Sequence, residues 1–318
     1  MQSAQFLESA KITEDTFSLA SFDGASFRLS LTPERAEMRS RKKKEDSQDT
    51  NRPPPELDHQ KELVKLLSGL AGRHSHWKVF TDFCEMSAIA LSNAVDLAPR
   101  EKREARYLQI VKSYKSEELD MLARGLAHLT LALERGFSDV LGRTFHDLEL
   151  HNKWAGQFFT PDDVCRMMAR MTIGDTEELK ARIAARGFVT TQEPAVGSGA
   201  MVIALAEAMY DAGINYQQHL HVTAIDVDLK CVHMAYAQLS LLHIPAVIIH
   251  GNTLAVEEYD HWYTPAHIMD GWRWKLLRRE AIEEAHAIIA APTKSEAAPV
   301  EKSPDEKPDL PRGQLKLF

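Results

Sequence analysis

The sequence predicts an α/β protein in which an all-helical segment precedes a short, open parallel sheet. Three observations carry that expectation. Apolar residues recur at helical spacing over residues 57–150. From about 187 to 263, short β-rich runs alternate with helical stretches. Around these lie charged, proline-rich segments without apolar periodicity, which cannot bury enough surface to offset ordering.

Residues 1–35 are expected to form a hairpin arm. Phe17 and Leu19 precede Asp23-Gly24, and Phe27, Leu29 and Leu31 follow it. Asp-Gly between alternating apolar residues signals a hairpin, because the turn needs positive φ. A two-stranded hairpin is marginal alone, so it needs another surface to lie on. Residues 36–56 contain Arg41-Lys42-Lys43-Lys44 and Pro53-Pro54-Pro55, the composition of a solvated linker. The basic run reads as linker charge or as a DNA-phosphate contact.

Residues 57–150 are expected to be a helical domain with three apolar stripes. Leu57, Leu63, Val64, Leu66 and Leu67 form the first, and Trp77, Phe80, Phe83, Cys84 and Ile89 the second. The third is Met121, Leu122, Leu126, Leu129 and Leu133, starting after Ser116-Glu117-Glu118 and ending at Gly136. Residues 151–290 form the second domain. FVTTQE, HVTAID and AVIIH are its strands, with helices between them and a further helix at roughly 272–290. Residues 291–318 are rich in proline, lack aromatics until Phe318, and read as a disordered tail.

Composition limits the function. The 38 basic residues against 46 acidic ones give a net charge of −8, which excludes coating nucleic acid through a uniformly basic surface. Contact with DNA would come from a local patch or a partner. No apolar run reaches the ~20 residues of a membrane span, and the start lacks the order of a secretory signal. Cys84, Cys165 and Cys231 are widely separated, which argues against a disulfide framework and fits a reducing cytoplasm. His74 and His76 have no accompanying ligand cluster, so no metal site is expected.

The candidate site centres on Glu193-Pro194-Ala195-Val196-Gly197-Ser198-Gly199, after one strand and before a helix. The glycines allow a tight turn and close approach of a ligand to bare backbone, while the helix start offers unpaired N–H groups. Asp226 ends the second strand, where an acid commonly meets ribose hydroxyls, and Asn252 ends the third. The plainer alternative is that Asp226 caps the next helix and Asn252 makes a turn. Thr160-Pro161-Asp162-Asp163 reads as a helix start, with Thr160 as N-cap.

These residues resemble a known family. Gly156-Gln157-Phe158-Phe159-Thr160-Pro161, upstream of the glycine loop, is similar to a motif of the adenine-N6 DNA methyltransferases of the type I restriction-modification class. The resemblance runs from about Phe137 to Tyr263. The wider wording, including LSLLHIPAVIIHGNTL, is similar to a mobile-element branch of N-6 DNA methylase-like proteins in bacteria. It implies a short Rossmann-like, S-adenosylmethionine-dependent methyltransferase sheet and a bacterial cytoplasmic location. It further implies that Thr160 contacts the cofactor carboxylate, with Phe158 and Phe159 walling the pocket. Glu193, with Pro194, Gly197 and Gly199, would receive the amino-acid end, Asp226 the ribose and Asn252 the adenine amine.

The family's signature at the end of the fourth strand is Asn, Asp or Ser, then Pro-Pro, then an aromatic that stacks on a flipped base. The corresponding residues are Thr264, Pro265, Ala266 and His267. A hydroxyl can accept a hydrogen bond and an imidazole can stack, so Thr264, Pro265 and His267 are the candidate catalytic group. Four strands replace the family's usual seven, and no DNA-reading domain is apparent. The open edge is expected to be covered by the N-terminal hairpin or by a partner chain, self-association included.

The chain ends Gln314-Leu315-Lys316-Leu317-Phe318. Gln314, Leu315, Leu317 and Phe318 are similar to the peptide with which bacterial replication and repair proteins dock on the DNA polymerase III sliding clamp. The resulting expectation is an S-adenosylmethionine-binding, DNA adenine-N6 methyltransferase-like protein recruited through the clamp. The alternatives are a non-catalytic scaffold for DNA transactions, or a methyltransferase acting on RNA or protein.

Overall fold

The computed structural model describes residues 57–150 and 159–290. The expected hairpin arm, linker, tail with its terminal peptide, and Phe158 lie outside the described residues. Those up to Trp274 belong to one compact unit, and those from Lys275 onward to a second.

Among the described residues, those from His59 to Asp147 form helices joined by short connections. These helices are α1 (His59–Gly69), α2 (His76–Val95), α3 (Arg100–Val111), α4 (Ser116–Glu134) and α5 (Val140–Asp147). Asp58 and Ser75 cap α1 and α2 by accepting from Lys61 N and Lys78 N. Nearly every residue of α2 from Val79 to Asn93 is buried, the pattern of a helix surrounded by other elements rather than lying on a surface. The cause is that α2 packs against α10 of the sheet region.

The following elements are α6 (Asp162–Ile173), α7 (Thr176–Arg186), β1 (Val189–Glu193), α8 (Ala200–Asp211), α9 (Tyr216–His219), β2 (Leu220–Asp226), α10 (Leu229–Leu241) and β3 (Ala246–Asn252). They are completed by β4 (Glu257–Tyr263), α11 (Pro265–Met269) and α12 (Trp272–Ala290). The sheet order is β1-β2-β3-β4. One buried cluster runs from Leu63 and Phe80 through Val202 and Met209 to Val222, Ile248 and Trp262. The helical segment and the sheet therefore share a core across residue 150. A parallel sheet must be covered; α10 lies against β2 and β3, and α2 packs on α10.

Arg103 ties the helices to the last strand. Its Nη2 donates to the His261 carbonyl at 2.9 Å, its Nη1 faces Asp96 at 3.3 Å and donates to Ser92 Oγ, and the guanidinium lies 3.7 Å over the Trp262 ring. The side chain is only 5% exposed. Cation–π contact and hydrogen bonds together offset its desolvation. Among the described residues, no helix is long and apolar enough to cross a membrane.

The sheet is not parallel throughout. β1, β2 and β3 are parallel, with Val189 opposite Leu220 and Val222 opposite Ala246. β4 is antiparallel to β3, with Asn252 opposite Glu257 and Val247 opposite Tyr263. The physical reason is connection length. Only Thr253–Val256 separate β3 from β4, whereas a parallel neighbour needs a crossover of a dozen or more residues. β4 therefore runs back, and its end lies at the opposite end of the sheet from Glu193, Asp226 and Asn252.

This direction sets the expected catalytic group apart from the glycine loop. Thr264, wholly buried, donates to the Ile244 carbonyl and accepts from Ala246 N, each at 2.9 Å. Pro265 is the first residue of α11. His267 Nδ1 lies 2.9 Å from His221 Nε2, and its ring centroid lies 5.0 Å from that of Tyr263. The three residues close the base of the sheet and do not face the glycine loop.

Two predictions follow from these contacts. Arg103→Ala leaves Asp96 without its buried partner and should lower unfolding free energy by about 3 kcal/mol in urea titrations. Burial lowers the pKa of His267 to about 4 and that of His233, packed against Trp262, to about 4. Both are neutral when folded and take up protons on unfolding. Their contribution is thus present above the ordinary histidine range, near 6.5, and is lost as pH falls toward about 4. Thermal unfolding measured across that range should show this slope, and His233→Gln should reduce it.

Candidate functional site

β1 ends in Glu193, and the loop Pro194–Gly199 leads into α8. Gly197 and Gly199 have φ of 56° and 100°, conformations that side chains with a Cβ rarely adopt. A Cβ on Gly197 would lie 3.3 Å from the Phe159 ring, so the ring lies directly on the loop. Phe159 packs edge-on against Phe145 at 5.2 Å between centroids, which places it on α5.

Side chains at the strand tips hold the loop, and Val196 N donates to the Ile225 carbonyl at 2.9 Å. Asp226 Oδ2 accepts from Gly197 N at 2.8 Å and Oδ1 accepts from Asp228 N at 2.9 Å. Glu193 Oε1 accepts from Ala195 N at 3.2 Å. Thr253 Oγ1 donates to the Pro194 carbonyl at 2.7 Å. Burial pushes the Asp226 carboxyl above the usual aspartate range, opposed by its two backbone donors. The helix cap of α10 is Asp228, which accepts from Lys230 N. Asp226 is therefore occupied with the loop rather than with capping.

Beneath the loop is a polar knot that sequence reasoning missed. Asp139 Oδ1 accepts from Gly142 N and Gln238 Nε2, each at 2.8 Å, and Oδ2 accepts from Ser198 Oγ. Gln238 Nε2 also donates to the Ser198 carbonyl at 2.8 Å, and Gln238 Oε1 accepts from Leu141 N at 3.0 Å. Asp139 three residues before Gly142, at a helix start, was the available signal. That it would also reach Ser198 and Gln238 depends on the tertiary fold.

Other expected residues fall as follows. Pro161, not Thr160, is the N-cap of α6. The first helical bonds, from Val164 N and Cys165 N, go to the Pro161 carbonyl, which moves the cap one residue along. The Thr160 carbonyl accepts from Cys165 Sγ at 3.6 Å. Asn252 Oδ1 accepts from Leu254 N and Ala255 N at 3.1 and 3.2 Å, so it makes the turn. Phe158 lies outside the described residues. The structure thus brings Phe159, Glu193, Pro194, Gly197, Gly199, Asp226 and Asn252 to one end of the sheet, and leaves Thr264, Pro265 and His267 at the other.

The same end carries apolar side chains in solvent. Val227, after the β2 tip, is 63% exposed, and Leu254, beyond the β3 tip, is 98% exposed. Val256 is 88% exposed and has a φ of 56°, unusual for a β-branched residue. Large apolar side chains on adjacent strand tips can take a flat ring between them. Hydrophobicity alone did not distinguish them from core residues. Lys230 closes the inner side: it is 4% exposed, its Nζ faces Asp228 Oδ2 at 3.4 Å, and it lies 4.5 and 4.6 Å from the ring centroids of Trp77 and Phe145.

Chemically, the arrangement combines backbone freed by glycine, unpaired N–H groups at the start of α8, an acid at the neighbouring strand tip and apolar walls. It suits an extended ligand with an anionic end, hydroxyls and a flat ring.

No curated protein sequence matches this chain. Among solved structures, it is similar to a protein described as a class I S-adenosylmethionine-dependent methyltransferase from Listeria monocytogenes. Identity is 14% and the TM-score 0.35, with 62% of this chain and 54% of that one covered. The chain thus spans about half the length of that protein. The profile of the N-6 DNA Methylase family matches residues 137–301. That match takes in the Asp139 knot, the glycine loop and all four strands, and covers more than half of the chain, which belongs to the N-6 DNA Methylase family.

Proposed function

We propose that the chain binds S-adenosylmethionine at the glycine-loop end of the sheet and serves methyl transfer to adenine N6 in DNA. The observation that carries this is the Asp226 carboxylate at the β2 tip, within 2.8 Å of Gly197 N and next to the exposed Val227. Family membership supports the same reading.

In this reading the N–H groups at the start of α8 meet the cofactor carboxylate, and Glu193 its amino group. Asp226 exchanges its loop contacts for ribose hydroxyls, and Val227 and Leu254 enclose the adenine. Phe159, with Phe158 and Thr160, closes the methionine side. The bound cofactor supplies an electrophilic methyl group on its sulfonium. The amine acceptor must then be oriented by groups other than Thr264, Pro265 and His267, which lie at the far end. A partner chain or residues outside the described segments would provide them.

The burial of Thr264 and His267 at the far end specifically favours a second reading, a cofactor-binding scaffold without transfer activity. In either case Gln314, Leu315, Leu317 and Phe318 would tether the protein to a sliding clamp, placing an acidic protein on DNA without a basic surface of its own.

Calorimetry tests cofactor binding, and adenine methylation of host DNA separates the two readings. Wild type should bind S-adenosylmethionine, and Gly197→Asp should weaken binding by about 100-fold, since it adds a strained φ, a clash with Phe159 and a charge near the cofactor carboxylate. Leu254→Asp should weaken it by about tenfold through loss of one apolar wall. Absence of binding by wild type rejects the proposal. Binding without adenine methylation of host DNA on expression selects the scaffold reading. Deleting residues 314–318 should abolish pull-down of the purified clamp.

A further inference from the structure

The two outer edges of the sheet are treated differently by the chain. β4 carries Glu257, Glu258 and Asp260 and an irregularity at His250/Gly251, devices that discourage a further strand from pairing. β1, Val-Thr-Thr-Gln-Glu, has no charge before its last residue, no proline and an unbroken register with β2. Among the described residues no strand lies on its other side. The face pattern of β1 is also defined. Val189 and Thr191 are opposite Leu220 and Val222, which belong to the core, and are themselves partly buried. Thr190 and Gln192, on the other face, are exposed.

A strand laid along this edge would need apolar residues on the Val189 face and polar residues on the Thr190 face. Within this sequence, Phe27-Arg28-Leu29-Ser30-Leu31 has that alternation. Residues 32–56 separate it from the first described residue, and a chain of that length reaches ~80 Å, more than the span of a domain of this size.

We infer that Phe27–Leu31 of this chain adds to the open edge of β1, with Phe27, Leu29 and Leu31 toward the helices and Arg28 and Ser30 beside Thr190 and Gln192. The sheet then has five strands, and its unguarded edge is covered by the chain's own N-terminal arm. The inference is independent of cofactor binding and methyl transfer, since it rests on edge chemistry alone.

Disulfide trapping in the full-length protein tests it. The native cysteines are buried, so two double variants, Gln192→Cys with Ser30→Cys and Thr190→Cys with Ser30→Cys, report on the edge without interference. A disulfide needs Cβ atoms about 4 Å apart. One of the pairs should form an intramolecular disulfide, seen by peptide mapping of the monomer, while Gln192→Cys with Leu29→Cys should not. Disulfide-linked dimers alone would mean that a second copy covers the edge and would overturn the inference, as would absence of any disulfide. Independently, deleting residues 1–35 should speed amide hydrogen exchange across Val189–Glu193 by about tenfold or more. Unchanged exchange there in a folded deletion variant would also overturn it.

Discussion

Asp139 is buried where three separate segments meet, and it receives a hydrogen bond from each: Gly142 N in α5, Gln238 Nε2 in α10, and Ser198 Oγ in the glycine loop. Burial, aided by the charge of Asp162, pushes its carboxyl above the usual aspartate range, and the three donors oppose that shift. A carboxylate so placed is costly when any donor is missing and stable only when all are present. The loop, the start of α5 and the last turn of α10 are thereby held in a single arrangement. Phe145 in α5 then supports Phe159, and Phe159 lies on Gly197. The site depends on this knot more than on any residue exposed within it.

At the other side of the helical segment, Arg103 does comparable work for β4. Its contacts to Ser92, Asp96, the His261 carbonyl and the Trp262 ring join α2 and α3 to the last strand. The helices thus contribute to the sheet region at two places, one near the glycine loop and one along β4. Shared burial of Phe80, Val222 and Trp262 follows from that arrangement.

The antiparallel return of β4 divides the sheet into two chemically different ends. One end combines glycine backbone, carboxylates and exposed apolar side chains. The other is closed by Thr264, Pro265 and the His221–His267 pair. The His267 imidazole, kept neutral by burial, suits a packed base, not a substrate-facing group. A net charge of −8 with two acids after the exposed turn, Glu257 and Glu258, also makes this surface a poor general ligand for phosphate backbones.

Local pattern was enough to read much of this. Leucine spacing identified α1 and α4, β-branched runs identified β1, β2 and β3, and the Gly197–Gly199 loop between strand and helix marked the candidate site, because each signal is carried by residues close in sequence. The helix boundary at Trp272 and Ala290 was legible for the same reason. Strand direction, the partners of Asp139 and Arg103, and the exposure of Val227 and Leu254 were not. The chain by itself determined which segments are helix or strand and where a ligand could approach bare backbone. Only the tertiary structure decided which end of the sheet each side chain serves, because a four-residue turn reverses β4 and hydrogen bonds spanning 59 and 99 residues, from Asp139 to Ser198 and Gln238, have no local signature.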